Sequence, residues 1–300
     1  MNEHGLIKKI IPLLKQGKNV LTGPGDDCAA IDLGLDELFL VSTDQLVSGR
    51  HYEASRVSPS QIAVKLLKRN ISDIAAMGGT PFCAVLTLAS ASEKEDFYME
   101  FFKALSKEAE KWNISICGGD ISSSPHDVFT MTIMGKVGKN KICLRSGASA
   151  GDCLYCTGLI GNSYGSEHHL NFTPRLHEAR FLAGKYTRTM IDISDGLLAD
   201  ALHLAESSEK SITLDLNKIS LRSGATMPDA VSDGEDYELL FAVSPAKADE
   251  LEKKWPFKDV ELTRIGVFTE SGKGGIFDAE GNNLTENRKT GFDHFDDKGN

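Results

Sequence analysis

Five short acidic motifs constrain this chain more than any other feature of its sequence, and the sequence predicts a turn at each of them. Most of them follow an apolar, strand-like run or close a helix. So many carboxylates directed at one place require cations between them, and Mg²⁺ in particular binds carboxylates together with substrate phosphates. The sequence therefore predicts a site that holds several Mg²⁺ ions and a nucleotide. The motifs are Gly25-Asp26-Asp27, Ser42-Thr43-Asp44, Asn70-Ile71-Ser72-Asp73, Gly118-Gly119-Asp120 and Asp192-Ile193-Ser194-Asp195.

The overall composition is that of a globular protein, with 41% hydrophobic and 25% charged residues among 300. That length suits one large domain or two ordinary ones. A formal net charge of -10 argues against a nucleic-acid partner, because such a partner requires a basic face. No apolar run approaches the roughly 20 residues of a membrane span, and the N-terminal residues lack a signal-peptide pattern. We therefore expect a cytoplasmic protein that binds neither nucleic acid nor membrane.

Two of the six cysteines, Cys153 and Cys156, have the CxxC spacing. A zinc site would require a second Cys or His pair at a matching distance, and the sequence offers none. A redox pair would normally open a helix, whereas this pair lies inside a strand-like run. We therefore interpret Cys153 and Cys156 as structural residues that behave as small hydrophobic side chains.

Helical and strand-like segments alternate along the chain and indicate two lobes, each a sheet with helices on one face. Ser58 followed by Pro59 predicts the start of a helix, and Gly78 predicts its end. A turn-rich stretch over residues 138–152 predicts a linker between the lobes. We therefore divide the chain into an N-terminal domain, 1–138, and a C-terminal domain, 139–300.

Each acidic motif taken alone also suits an ordinary capped turn, since Asp, Ser and Gly favour such positions. Asp73 is less easily explained in this way, because a carboxylate late in a helix is opposed by the helix dipole. At residues 192–195, two acids flank a strand end, and the helix that follows offers its N-terminal N–H groups to an anion. The coincidence of five such motifs favours a binding site over capping alone.

The remaining polar residues carry weaker signals. A lone histidine such as His51 is usually structural or exposed, and we predict that His168 and His169 lie on the surface. Asp236 and Glu238 fit an edge strand whose acids alternate outward. Arg145, in a glycine-rich turn, suits a phosphate. A Walker-type phosphate loop is absent from the sequence.

Taken together, the motifs resemble those of the thiamine-monophosphate kinase family. That family belongs to the superfamily of aminoimidazole ribonucleotide synthetase and selenophosphate synthetase, and the match runs nearly end to end. Besides the acidic motifs, the matching segments are Gly-Pro-Gly-Asp-Asp at 23–27, Ser-Thr-Asp-Gln-Leu-Val-Ser-Gly-Arg-His-Tyr at 42–52, Asn-Ile-Ser-Asp-Ile-Ala-Ala-Met-Gly at 70–78, Arg-Ser-Gly-Ala at 145–148, Gly-Glu-Asp-Tyr-Glu-Leu-Leu-Phe at 234–241 and Gly-Phe-Asp-His-Phe at 291–295.

The resemblance implies ATP-dependent phosphorylation of thiamine monophosphate to thiamine diphosphate, with several Mg²⁺ ions aligning a direct phosphoryl transfer. It implies a two-domain fold of the α/β and α+β classes. The N-terminal mixed-sheet domain would bind ATP and Mg²⁺ and pair with its twin in a homodimer, and the C-terminal domain would be α+β. The physical chemistry agrees, because an acceptor that is already a phosphate needs alignment and charge neutralisation more than a strong base.

The resemblance also implies roles for individual residues. The metal ligands would be Asp27, Ser42, Thr43, Asp44, Asp73, Asp120, Asp192 and Asp195, with Asp44, Asp73 and Asp120 forming the catalytic core. The ATP contacts would be Gly119, Asp120, Arg145 and Ser194. The thiamine contacts would be His51, Glu235 and Phe292, the last by stacking.

Several alternatives stay open at this point. One is another ATP-using enzyme of the superfamily with a different small acceptor, since the segment after Gly158 is short and position 292 is Phe rather than Tyr. Selenophosphate synthetase itself would require a reactive Cys with a Lys, and Cys28 has no adjacent Lys. A second alternative is a non-catalytic nucleotide-binding protein. A third is that the acidic turns are purely structural.

Overall fold

Two six-stranded mixed sheets organise the chain, which the computed structural model describes over residues 3–270, 274–286 and 291. Their separation along the chain confirms the two-lobed α/β architecture. The exact domain boundary after residue 138 stays a prediction. None of the helices among the described residues is both long and apolar enough to span a membrane.

The first sheet has the strand order β1-β2-β3-β6-β4-β5, in which β4 and β5 are parallel and the other neighbours are antiparallel. Helices α2 and α3 pack against each other and cover one face of this sheet. The elements are α1 (Glu3–Ile10), β1 (Val20–Thr22), β2 (Ala29–Ile31), β3 (Glu37–Val47), α2 (Pro59–Ala76), β4 (Thr80–Ser90), α3 (Glu95–Lys111), β5 (Ser115–Ser123) and β6 (Val128–Gly138).

The second sheet has the order β12-β9-β11-β7-β10-β8, in which only β12 and β9 are parallel among the described strands. Its elements are β7 (Cys153–Thr157), α4 (His168–Asn171), α5 (Leu176–Leu182), β8 (Met190–Asp192), α6 (Leu197–Ser207), β9 (Ser211–Leu214), α7 (Met227–Ser232), β10 (Leu239–Val243), α8 (Pro245–Lys254), β11 (Leu262–Thr269) and β12 (Ile276–Phe277).

Helix α2 forms as its sequence predicts and connects the two lobes. Ser58 caps it in a reciprocal capping box with Gln61, and Pro59 occupies its first turn. It ends before Gly78, which has a φ of 69° that suits glycine. Besides the first sheet, α2 contacts α4, α5 and β8 of the second lobe. This helix can therefore present side chains to a space between the lobes.

Two of the acidic motifs lie inside strands, and the turns predicted for them are wrong. Ser42-Thr43-Asp44 belongs to β3, which pairs with β6 over its whole length. Gly118-Gly119-Asp120 belongs to the edge strand β5, which pairs with β4. Pairing with distant strands outweighs the local turn preference of these residues. The local sequence does not indicate which strand will pair with them.

The acids beside β10 are buried, contrary to the predicted outward alternation on an edge strand. β10 lies between β7 and β8. Asp236 is fully buried and pairs with Arg222 at 2.6 Å, while Glu238 pairs with Arg175 at 2.5 Å. Cationic partners distant in sequence make this burial tolerable, because a buried charge without a partner is strongly unfavourable.

The predicted surface position of the two neighbouring histidines is also wrong. His169 is buried, and its ring stacks on Tyr164 with centroids 4.1 Å apart. His168 is partly buried, and its Nε2 lies 2.9 Å from the Asp236 carbonyl oxygen. Burial lowers the pKa of His168 to about 4, so this ring is neutral at pH 7.

The structural interpretation of the CxxC pair is confirmed. Cys153 and Cys156 are free and buried in β7, and they point into different apolar clusters. Burial raises the pKa of Cys156 well above its usual range, which keeps the thiol protonated and unreactive.

Replacement of Arg175 by Met tests the buried ion pair beside β10. The Glu238 side chain is 1% exposed, so it would lose its guanidinium partner without gaining water. We expect a loss of about 3–5 kcal/mol in the free energy of unfolding, measured by urea denaturation. The matched control is Lys254→Met in the exposed pair with Glu250, which should leave stability unchanged. A loss that is equal in both variants would contradict the burial argument.

Candidate active site

A cavity of about 280 Å³ lies between the two lobes and collects most of the predicted site residues. Helix α2, strand β3 and the segments around residues 26, 194 and 235 form its walls. Predicted residues that line it are Asp27, Ser42, Thr43, Asp44, His51, Asp73, Arg145, Asp192, Ser194, Asp195 and Glu235. Asp26 of the first acidic motif also lines it. Lining residues to which the sequence analysis gave no role are Arg50, Arg69, Tyr164, Gly234 and Tyr237.

The last turns of α2 hold two of the aspartates in place. Ser42 in β3 donates its hydroxyl to Asp73 at 2.5 Å, and Ser72 donates its hydroxyl to Asp192 at 2.5 Å. Adjacent residues of one helix therefore contact both sheets. This arrangement brings together carboxylates that lie 119 positions apart in the sequence.

Electrostatic repulsion among these acids is strong. Burial, followed by the charges of Asp192 and Asp44, raises the pKa of Asp73 well above its usual range. Burial, followed by the charge of Asp27, raises the pKa of Asp192 to about 7. Crowded buried carboxylates of this kind are stabilised by a cation that they share.

The donor set fits a hard divalent cation. Asp27 has one oxygen at 2.7 Å from Nη2 of Arg145, and its other oxygen, Oδ2, is buried without a hydrogen-bond partner. A buried carboxylate oxygen of this kind is costly unless something satisfies it. Mg²⁺ prefers ligands of this type and completes its shell with phosphate and water. The residues positioned to hold such ions are Asp27, Asp44, Asp73, Asp192 and Asp195.

Thr43 offers its main chain rather than its hydroxyl to the cavity. Its Oγ1 donates to the Met131 carbonyl at 3.1 Å and accepts from Thr132 at 3.1 Å. The Thr43 side chain therefore lies on the face of the first sheet opposite to those of Ser42 and Asp44, because side chains alternate along a strand.

Gly119 and Asp120 lie outside the cavity wall among the described residues. The register runs from Asp44 through Met131 and Leu86 to Gly119, which is three strand spacings or about 14 Å. Asp120 is exposed on β5 and pairs with Thr87, on the face opposite to Asp44. Within one chain the structure does not bring these residues to the aspartate cluster, and their roles stay predictions.

The segment that carries Ser194 and Asp195 is held by another aspartate. One oxygen of Asp200 accepts the N–H groups of Ser194, Asp195 and Gly196 at 3.0–3.1 Å. The sequence assigned the N–H groups at the start of this helix to an anionic ligand. These three N–H groups precede α6, which begins at Leu197, so the predicted anion contact of the helix N-terminus stays a prediction.

A buried lysine that the motifs did not indicate lies behind the part of the cavity wall formed by His51 and Glu235. Nζ of Lys65, on α2, donates to Glu235 at 2.7 Å and to the His51 carbonyl at 2.7 Å. Burial alone would raise the pKa of Glu235, but the charges of Lys65 and Arg69 outweigh it and hold that pKa below its usual value. Glu235 is therefore ionised at neutral pH.

Arg69 is the second cation that sequence interpretation missed. Its Nε pairs with Asp44, and its Nη1 donates to the Gln45 carbonyl at 3.1 Å. Lys65, Arg69 and Asp73 follow one another at four-residue spacing and so share one face of α2. Three charged residues at that spacing, on a helix whose buried residues are mostly apolar, were the signal available in the sequence.

Phe292, which the sequence predicted to stack on the substrate, lies outside the described residues. Its predicted role stays a prediction.

Comparison with known proteins identifies chains similar to this one. The family model for the N-terminal domain of AIR synthase related proteins matches residues 25–137. A thiamine-monophosphate kinase from Buchnera aphidicola subsp. Schizaphis graminum is 32% identical, over 98% of this chain and 99% of the relative.

Solved structures agree with these sequence matches. AaThiL complexed with AMPPCP and TMP has a TM-score of 0.84 at 28% identity, and the match covers 98% of this chain and 97% of that one. A thiamine-monophosphate kinase from Stenotrophomonas maltophilia K279a has a TM-score of 0.76 at 28% identity, with coverage of 92% and 96%. The resemblance drawn from the motifs is confirmed.

Replacement of Asp73 by Asn tests whether the crowded carboxylates are held for a metal. Without divalent cations, the variant should melt about 2–4 °C above the wild-type chain, since one repelling charge is removed and the shape is kept. Added Mg²⁺ should raise the melting temperature of the wild-type chain and leave that of the variant nearly unchanged.

The control is Asp32→Asn, which removes an exposed carboxylate paired with Lys139 outside the cavity. This variant should respond to Mg²⁺ as the wild-type chain does. Equal Mg²⁺ responses in Asp73→Asn and the wild-type chain would remove Asp73 from the metal site.

Proposed function

Because this chain belongs to the thiamine-monophosphate kinase family, we propose that it phosphorylates thiamine monophosphate with ATP to give thiamine diphosphate. The observation that carries this proposal is the charge of the cavity. Among the described residues, six aspartates and one glutamate line it together with three arginines. Such an excess of carboxylates suits a reaction between two polyanions that are joined by metal ions.

Mg²⁺, when bound, neutralises the phosphates and keeps the attacking and leaving oxygens in line. The chain supplies hard oxygen ligands for several such ions. We propose as ligands Asp27, Ser42, Thr43 through its main chain, Asp44, Asp73, Asp120, Asp192 and Asp195. The orphaned Oδ2 of Asp27 and the crowding of Asp73 and Asp192 support this set.

Arg145 and Ser194 are proposed to contact the phosphates of ATP. One guanidinium nitrogen of Arg145 is paired with Asp27, while its Nε is buried without a hydrogen-bond partner. A buried donor beside a metal-binding carboxylate suits a phosphate oxygen, because a guanidinium can bind both at once. AMPPCP, which AaThiL binds, is an ATP analogue and supports a nucleotide here.

No strong base is needed at the acceptor. The terminal group of thiamine monophosphate is a phosphate, whose oxygens carry negative charge at neutral pH, so the attacking atom has no proton to lose. Catalysis then depends on orientation and on stabilisation of the charge that spreads over the transferred group. This requirement agrees with a cavity rich in carboxylates and arginines.

The ring system of the acceptor is proposed to meet His51 and Glu235. Both residues are buried side chains on the cavity wall, and Glu235 is ionised. An ionised carboxylate suits the amino group and positive charge of a thiamine ring. Phe292 is proposed to stack on that ring.

A homodimer is proposed to complete the site. The face of the first sheet that carries Thr43 and Asp120 also holds partly exposed apolar side chains, including Phe82 at 37% exposure. A second copy packed there would bury this face and bring Gly119 and Asp120 of each chain close to a cavity.

Sedimentation equilibrium should give twice the chain mass for the wild-type protein. Phe82→Asp should shift the measured mass toward that of the monomer.

The control for the dimer is Leu35→Asp, an exposed leucine in the loop before β3. It should leave the mass unchanged. A wild-type chain that sediments as a monomer at micromolar concentration would contradict the dimer, and Asp120 would then lack a route to the cavity.

The reaction is tested by mixing the purified protein with ATP, Mg²⁺ and thiamine monophosphate and separating the products by chromatography. We expect thiamine diphosphate only when all three are present. ATP binding that requires Mg²⁺ without any product would point to a different small acceptor, or to a non-catalytic nucleotide-binding protein.

Asp44→Asn and Asp120→Asn test the catalytic assignments in the same assay. Each should lower kcat by roughly 100-fold or more, since each removes charge that holds the reacting groups. Asp32→Asn serves again as the control and should retain normal kcat. Near-normal activity of either site variant would remove that residue from the metal cluster.

A further inference from the structure

One ammonium group holds together three separate segments of the cavity wall. Nζ of Lys65 lies 2.7 Å from Oε2 of Glu235 and 2.7 Å from the carbonyl oxygen of His51. The same Nζ lies 5.6 Å from the ring centroid of Tyr164, whose hydroxyl donates to the His51 carbonyl at 3.4 Å. These segments come from both lobes and lie up to 184 positions apart in the sequence.

Because both groups are buried, the charges of Lys65 and Glu235 depend on each other. The side chain of Lys65 is 0% exposed and that of Glu235 is 11% exposed. A buried charge is strongly unfavourable unless it is paired and hydrogen-bonded, so neither group can move away without leaving the other unsatisfied. The pair therefore restricts the surrounding wall to one arrangement.

Glu235 is held on its other sides as well. Its second carboxylate oxygen accepts from the Tyr237 hydroxyl at 3.3 Å, and its carbonyl accepts from Ser163 at 2.6 Å. Its N–H donates to the Ser194 carbonyl at 2.8 Å, which connects it to the segment of the aspartate cluster. With Lys65 in place, the carboxylate faces the cavity in a single orientation.

We propose that Lys65 is a positioning residue for the acceptor, acting through Glu235 and the His51 segment rather than by touching the reacting atoms. The ligand class is a cationic, nitrogen-rich heteroaromatic ring, which an oriented carboxylate recognises by charge and hydrogen bonding. This inference rests on the proposed function. Lys65 affects binding of the acceptor ring through the residues that it positions, and it takes no part in nucleotide binding or phosphoryl transfer.

Lys65→Met tests this role, since it keeps the length of the side chain and removes the charge. The KM for thiamine monophosphate should rise about 10-fold or more, the cost expected when charge-assisted hydrogen bonds are lost. The KM for ATP and the kcat at saturating substrates should change by less than about threefold, because only uniform binding of one substrate is removed. Calorimetric titration with thiamine monophosphate alone should show the same loss of affinity.

Lys68→Met is the matched control on the same helix. Lys68 is also largely buried, and it lies 4.0 Å from Glu108, away from the cavity lining. It should leave both KM values unchanged. An equal rise in the KM for thiamine monophosphate in both lysine variants would overturn the specific role of Lys65.

A double-mutant cycle separates positioning from general packing. If Lys65 acts through Glu235, then Lys65→Met should add less than about twofold to the KM once Glu235→Gln is present. The double variant also removes both buried charges, so it stays measurable if Lys65→Met alone fails to fold. Fold-changes that multiply, or a lower melting temperature with an unchanged KM, would show that Lys65 is only structural.

The two proposals fail in different ways. A wild-type chain that makes no thiamine diphosphate overturns the proposed function. A wild-type chain that makes it, together with a Lys65→Met variant of unchanged KM and affinity, overturns the role of Lys65 alone.

Discussion

The buried face of helix α2 is the constraint on which the rest of the cavity depends. Lys65, Arg69 and Asp73 follow each other at four-residue spacing. Lys65 contacts Glu235 of the second lobe, whereas Arg69 and Asp73 contact Asp44 and Ser42 of strand β3. A capping box starts the helix, and its apolar face packs into the core of the first lobe. A rigid element can therefore present charges in fixed positions, which a mobile loop could not do at the same precision.

The aspartates of the cavity differ in whether a positive charge lies beside them. Arg69 offsets Asp44 and Arg145 offsets Asp27, while Asp73 and Asp192 have only serine hydroxyls beside them among their described hydrogen bonds. The last two are the carboxyls whose pKa is raised by burial and by neighbouring acids. The protein thus accepts electrostatic strain at the position where metal ions are proposed, a cost that binding of those ions would offset.

Local features of the sequence were the most predictable part of the fold. The helix start at Ser58 and Pro59, the glycine end of α2 and strand β7 follow from patterns within a few residues, and the structure confirms them. The Ser42-Thr43-Asp44 strand was not predictable, since its pairing with β6 lies almost 90 residues away. Lys65 was missed because its partner Glu235 lies 170 positions away.

The motifs supply most of the side chains that line the cavity, but they could not identify the side of a sheet on which each acid lies. Asp44 and Asp120 both occur near the middle of strands in the same sheet. Alternation nevertheless places their side chains on opposite faces, and their strands lie three spacings, or about 14 Å, apart. A sequence motif indicates which functional groups the chain contains, whereas the strand register determines the face and the position of the sheet at which each group lies. If Asp120 serves the aspartate cluster, it must therefore do so from a second chain, and catalysis and dimer formation then depend on the same face of the first sheet.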